Sequence, residues 1–204
     1  CFEKDGFVNL GKALSDEEVK YFNLYFEWTA MFRRDWIEDH GEVDPLVAFK
    51  LAHPSGYTGD LHQDWHRDRP HWEEHPLRME YIQLMVYLSD VDEGTHCFSI
   101  SPESVGQQIL EDAAQLERGG VYHLYGPAGT CALYNASTLH TATTRPTESE
   151  RRTVQIYYGH RDHAPFTNDS GIPATLWRDH EDAETRAFYG VLNERTRVYL
   201  RAPG

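Results

Sequence analysis

From Val43 onward the chain is cut into short β-prone runs by turn residues, and this punctuation narrows its possible folds more than any other feature. The runs cover residues 46–53, 79–89, 96–101, 121–125, 130–135 and 151–158, with Pro54-Ser-Gly56, Asp92-Glu-Gly94 and Pro127-Ala-Gly129 between them. Proline and glycine supply the backbone angles that reverse a chain, so each cluster marks a turn. Strands and helices do not alternate, and no GxGxxG or phosphate-loop pattern occurs, which argues against a parallel nucleotide-binding sheet. Helix signals gather near the ends. After a short strand at 7–10, Ser15 and Glu18 form a capping box, opening a helix expected to run to about residue 39 with Val19, Phe22, Tyr25, Phe26 and Met31 on its apolar side. Residues 103–115 read as a helix inserted between strands, and 182–200 as a terminal helix. The pattern predicts a mainly β, antiparallel sandwich or barrel with flanking helices.

At 204 residues a single domain, 1–204, is expected. The 19 basic and 33 acidic residues give a net charge of −14, a field that repels phosphate backbones, so nucleic acid is an unexpected partner and a small molecule an expected one. No apolar run of about 18 residues predicts a membrane span. The first ten residues lack the basic and apolar regions of a secretory signal, and Cys1, Cys97 and Cys131 are too widely spaced for a zinc ribbon or disulfide framework. A reducing, cytoplasmic location is the expectation.

Twelve histidines in an acidic chain invite a search for metal ligands. Residues i and i+2 of a strand point to one side, so an H-x-D pair can offer an imidazole and a carboxylate to one ion. With a second histidine from a distant strand they would form a facial triad that leaves half an octahedron open. H-x-D occurs four times: His62-Asp64, His66-Asp68, His160-Asp162 and His180-Asp182. The last lies where a helix is expected, and His160 has no later strand to supply a partner. His62-Gln-Asp64-Trp-His66 follows a turn, precedes most strands, and is answered downstream by His140, so the pairs that begin at His62 and His66 both stay open as partners for His140. Arg151 and Arg152 open the final strand, and an arginine fork pairs two-on-two with a carboxylate. Pleating sends the two arginines to opposite faces, and the polar face of Arg151, Thr153 and Gln155 is the expected inner one.

The chain resembles the phytanoyl-CoA dioxygenase family of 2-oxoglutarate oxygenases. Phe2-Glu-Lys-Asp-Gly-Phe-Val8 and Leu14-Ser-Asp-Glu-Glu-Val19 are similar to its N-terminal strand and helix, His62-Gln-Asp64 to its metal motif, Asp92 to Pro102 to its glycine-turn segment, and Gly129 to His140 to the strands ending at the distal histidine. Thr141-Ala142 and Pro102-Glu-Ser-Val105 depart from the family's Gly-Ser and Pro-Gly-Ser-His. The resemblance implies a double-stranded β-helix (a jelly roll, cupin-like) with flanking N- and C-terminal helices. It implies Fe(2+) held by His62, Asp64 and His140, with 2-oxoglutarate held by Arg151, or by Arg152 in its place, and Gln83 near the co-substrate. The implied reaction consumes O2 and hydroxylates a C–H bond of a small molecule, releasing succinate and CO2. The aspartate argues against halogenation, which needs a small residue in its place.

Two other readings stand beside this one. A jelly roll can bind a small molecule without turnover. His71-Trp-Glu-Glu74-His75 matches an H-x-x-E-H zinc-hydrolase motif, but Pro76 cuts short the helix that motif requires.

Overall fold

The computed structural model describes residues 2–25, 27, 48–52, 65–160 and 174–190. Its elements in chain order are α1 (Phe2–Asp5), β1 (Phe7–Lys12), α2 (residues 16–25), β2 (Ala48–Ala52), β3 (Tyr81–Tyr87), β4 (Cys97–Ile100), α3 (Asp112–Gly119), β5 (Tyr122–Leu124), β6 (Thr130–Asn135), β7 (His140–Thr143), β8 (Arg151–Gly159), α4 (Ala174–Trp177) and α5 (Ala183–Tyr189). Five strands form one antiparallel sheet in the order β1-β6-β3-β8-β2, and three form a second in the order β5-β4-β7. This is the jelly-roll architecture.

Alternation along β3 builds two cores. Met85 and Tyr87 face the second sheet and pack with Phe98, Ile100, Leu124, Ala132 and Tyr134. Val86 and Leu88 face the other way, with Cys131 and Val154, and are covered by Leu14 and by Phe22 and Tyr25 from α2. Register carries the division into β8: Tyr87, Met85 and Gln83 pair with Thr153, Gln155 and Tyr157, so those three share the inner face. Arg152 and Val154 take the outer one.

The capping box forms as a reciprocal pair. The Ser15 amide donates to Glu18 Oε2 at 2.8 Å, and the Glu18 amide donates to Ser15 Oγ at 3.3 Å. Where this helix ends lies outside the described residues. The terminal helix is shorter than expected: α5 ends at Tyr189 with Gly190 as its C-cap, and residues 191–200 lie outside the described residues. The inserted helix differs from expectation: α3 begins only after Glu111, and 103–111 is irregular. The amides of Glu103 and Val105 donate to Asp5 and Glu3 carbonyls, so they are spent on α1 rather than on a helical turn. Strand β7, four polar-leaning residues, is too short to show an alternation and was not among the expected runs.

Candidate metal centre

The structure brings together His66, Asp68 and His140, whose potential ligand atoms all lie within 4.8 Å of one another. Backbone pairing delivers the histidines. The His66 amide donates to the His140 carbonyl and the His140 amide to the His66 carbonyl, both at 3.0 Å, forming an isolated antiparallel bridge. Directly paired residues project to one side, and the imidazole centroids sit 4.5 Å apart. Asp68, two residues on, turns to the same side. Its carboxylate lies 3.3 Å from His66 Nε2 and 3.6 Å from His140 Nε2.

The protonation of His140 follows from its partner. His140 Nδ1 lies 2.8 Å from the Thr138 carbonyl, which can only accept, so Nδ1 carries the proton and Nε2 keeps its lone pair toward Asp68. His140 is 5 % exposed. Two imidazoles and one carboxylate, with one imidazole oriented from behind, are the donor set suited to a divalent first-row metal with open positions.

These groups open onto a cavity of about 80 Å³, also lined by Met85, Phe98, Tyr134, Arg151, Gln155 and Tyr157. Arg151 is 7 % exposed, and its Nε and Nη1 are buried with no hydrogen-bond partner among the described residues. Burial pushes its pKa below the usual arginine range, with Tyr87 and Cys97 acting weakly the other way. Burial raises Tyr134 and Tyr157 well above the ordinary phenol value, so both stay neutral and supply no countercharge to Arg151. A buried fork of donors beside a carboxylate–imidazole cluster fits an incoming anion with its own carboxylate.

Among the residues singled out in the sequence, His140 and Arg151 lie in this cavity. His62 and Asp64 fall outside the described residues. Arg152 is on the opposite face, pairing with Glu27 and Glu150. Gln83 is fully buried but does not line the cavity. Its Nε2 donates to Gln155 Oε1 at 2.8 Å, and its Oε1 accepts from the Tyr134 hydroxyl. It therefore reaches the cavity through two residues that do line it. The 71–75 motif is turn and bend rather than helix: His71 Nε2 lies 3.7 Å from Glu103, while His75 stacks on Trp72. Asp182 of the fourth H-x-D pair caps α5, accepting from the Glu184 and Thr185 amides. His66 and Asp68 were visible as an H-x-D pair; what singles them out is long-range register with β7, which spacing does not encode.

A family model described as phytanoyl-CoA dioxygenase matches residues 45–153, more than half the chain. No curated protein matches it. Among solved structures it is similar to AviO1 from Streptomyces viridochromogenes Tue57, at 18 % identity and TM-score 0.58, covering 80 % of this chain and 94 % of that one. It is also similar to SnoK, a non-haem α-ketoglutarate-dependent carbocyclase from nogalamycin biosynthesis, at 16 % identity and TM-score 0.57, covering 79 % and 82 %. A third is EctD from S. alaskensis with 2-oxoglutarate and 5-hydroxyectoine, at 16 % identity and TM-score 0.56, covering 91 % and 84 %. At these identities the likeness is one of fold. The family match extends from just before β2 into β8, taking in the segments that carry His66, Asp68, His140 and Arg151, and the chain belongs to the phytanoyl-CoA dioxygenase family of iron- and 2-oxoglutarate-dependent oxygenases.

Proposed function

We propose that this chain is a dioxygenase that hydroxylates a C–H bond of a small organic molecule, with iron held by His66, Asp68 and His140 and the far carboxylate of 2-oxoglutarate held by Arg151. The ligand assignment moves from His62 and Asp64 to the neighbouring pair because His66 and Asp68 meet His140 in the fold. The carrying observation is Arg151, a buried cation with two donors that have no partner among the described residues, in the cavity that the three candidate ligands share. Leaving such a group unpaired costs about 1–3 kcal/mol or more, a penalty that a bidentate anion removes.

Bound iron would supply O2 reduction coupled to decarboxylation of 2-oxoglutarate to succinate and CO2. The chain supplies the geometry. His140 Nδ1–H, fixed on Thr138, aims Nε2 at the metal position. Asp68 adds a negative charge that lowers the cost of holding a dication. Arg151 and the Gln155 amide sit on the inner face of β8, where they can orient the co-substrate end to end. Met85, Phe98 and Tyr134 wall one side of the cavity with largely apolar surface. The carboxylate at position 68 argues against halogenation, and the fold of 71–75 gives no support to a zinc hydrolase.

Anaerobic addition of Fe(II) and 2-oxoglutarate is expected to produce a visible metal-to-ligand charge-transfer band, and candidate small molecules should then stimulate succinate release in air. A chain that binds small molecules but shows no such band and no succinate would be a binding protein, and this reading would fall.

A further inference from the structure

The residue between the two proximal ligands is itself anchored. Alternation sends Arg67 away from His66 and Asp68, into a site where its guanidinium meets three other segments. Nη1 donates to Glu103 Oε2 at 2.7 Å and to the Ser137 carbonyl at 3.1 Å, and Nη2 donates to the Leu110 carbonyl at 3.2 Å. The side chains of Arg67 and Glu103 are 14 % and 5 % exposed. His71 Nε2 at 3.7 Å and Arg118 at 3.9 Å complete the surroundings of the Glu103 carboxylate.

The position of these contacts matters more than their number. Ser137 lies three residues before His140, in the loop that delivers the distal histidine. Glu103 follows β4, whose Ile100 pairs directly with His140. Among the described residues the H-x-D segment belongs to no ladder. Its backbone is held by the bridge to His140 and by the Asp68 and Arg69 amides on the Ala136 carbonyl. A bridge of two hydrogen bonds is marginal by itself. Arg67 therefore ties the carrier of two candidate ligands to the carrier of the third, and Glu103 fixes Arg67.

Resting on the ligand assignment above, we infer that Arg67 and Glu103 are positioning residues for the metal centre, a buried ion pair that sets the spacing between the His66/Asp68 segment and His140. It acts from behind the ligands, touching neither metal nor co-substrate. Loss of groups that orient ligands commonly costs about 10- to 100-fold in metal affinity, and that range is expected here.

The test is Co(II) titration of the full chain, read by the visible ligand-field spectrum, in wild type, His66→Ala, Glu103→Gln and Arg67→Lys, with folding checked by circular dichroism. Support requires that His66→Ala abolishes binding, and that folded Glu103→Gln and Arg67→Lys bind at least about 10-fold more weakly with an altered spectrum. An ion pair that merely stabilises the fold would lower melting temperature and leave the spectrum of the bound metal unchanged. If His66→Ala binds like wild type, the ligand assignment fails. If His66→Ala loses the metal while both other variants keep wild-type affinity and spectrum, the assignment stands and the positioning role is overturned. Should Glu103→Gln fail to fold, Arg67→Lys, which keeps the charge and loses the fork, decides the matter alone.

Discussion

His66 and His140, separated by most of the β-rich chain, face each other across a two-hydrogen-bond antiparallel bridge that puts their imidazole centroids 4.5 Å apart. The bridge makes the pair a product of register rather than of local sequence, because a slip of one residue would turn one ring away. Single replacements His66→Ala, Asp68→Ala and His140→Ala should each abolish the charge-transfer band with Fe(II) and 2-oxoglutarate. His62→Ala and Asp64→Ala should retain it. Equilibrium metal titration of the five variants checks this; the reverse pattern would return the centre to His62 and Asp64.

Arg151 gives a prediction of opposite sign for stability and for binding. Its buried Nε and Nη1, without a hydrogen-bond partner among the described residues, burden the unliganded fold, so Arg151→Met should raise the melting temperature of the protein without ligand, by the equivalent of about 1–3 kcal/mol. The same change should weaken 2-oxoglutarate binding by at least about 100-fold, since a charged hydrogen-bonded pair contributes on the order of 3 kcal/mol or more when desolvated. Arg152→Met is the control: its partners Glu27 and Glu150 are surface groups, so the change in stability should stay within about 1 kcal/mol and binding should not move. Differential scanning calorimetry and isothermal titration calorimetry read the two effects.

Much of the fold is legible in the sequence. Turn spacing marked six of the eight strands closely and a seventh, β1, in its first four residues, and the Ser15–Glu18 box marked the start of α2, because local chemistry determines both. Pleating put Arg151 and Arg152 on opposite faces, and the polar neighbours Thr153 and Gln155 favoured the face of Arg151. Spacing does not rank the four H-x-D pairs, since all four present the same two-residue separation. The proposed choice of His66 and Asp68 rests on the bridge to β7, a contact between residues far apart in sequence, while His62 and Asp64 lie outside the described residues. Strand β7 escaped for a related reason: His140–Thr143 carries no run of apolar residues, and its strand character comes from pairing with β4. The inserted helix was misplaced because the amides of Glu103 and Val105 are claimed by α1, a tertiary contact that local propensity does not register.

Gln83 acts at one remove. The Tyr134 hydroxyl donates to Gln83 Oε1, so Gln83 Nε2 must be the group that donates to Gln155 Oε1. That polarity turns the Gln155 NH2 away from Gln83. Tyr134→Phe removes the first donor and lets the Gln83 amide flip, which would scramble the orientation of Gln155. The expected result is a several-fold rise in KM for 2-oxoglutarate with little change in kcat, alongside a stability loss of about 1–3 kcal/mol for the unsatisfied buried carbonyl. Steady-state kinetics against 2-oxoglutarate and denaturant titration measure the two. A fall in kcat at unchanged KM would place Tyr134 in another role.

The Glu103 carboxyl ties part of the chain's acid stability to a buried ion pair. Burial by itself would raise its pKa, but the neighbouring His71 imidazole and the Arg67 guanidinium outweigh burial and hold it below the usual glutamate value. A carboxyl depressed on folding binds protons more readily in the unfolded chain, so stability falls as pH falls. Its contribution is complete above the unfolded glutamate value of about 4.3 and is lost as pH drops through the lower folded value. Glu103→Gln should therefore cost about 1–3 kcal/mol at neutral pH and show a shallower decline below about pH 4.3 than wild type. Urea denaturation at a series of pH values gives both curves. Parallel curves across the acid range would mean that Glu103 is not the group whose protonation loosens the fold.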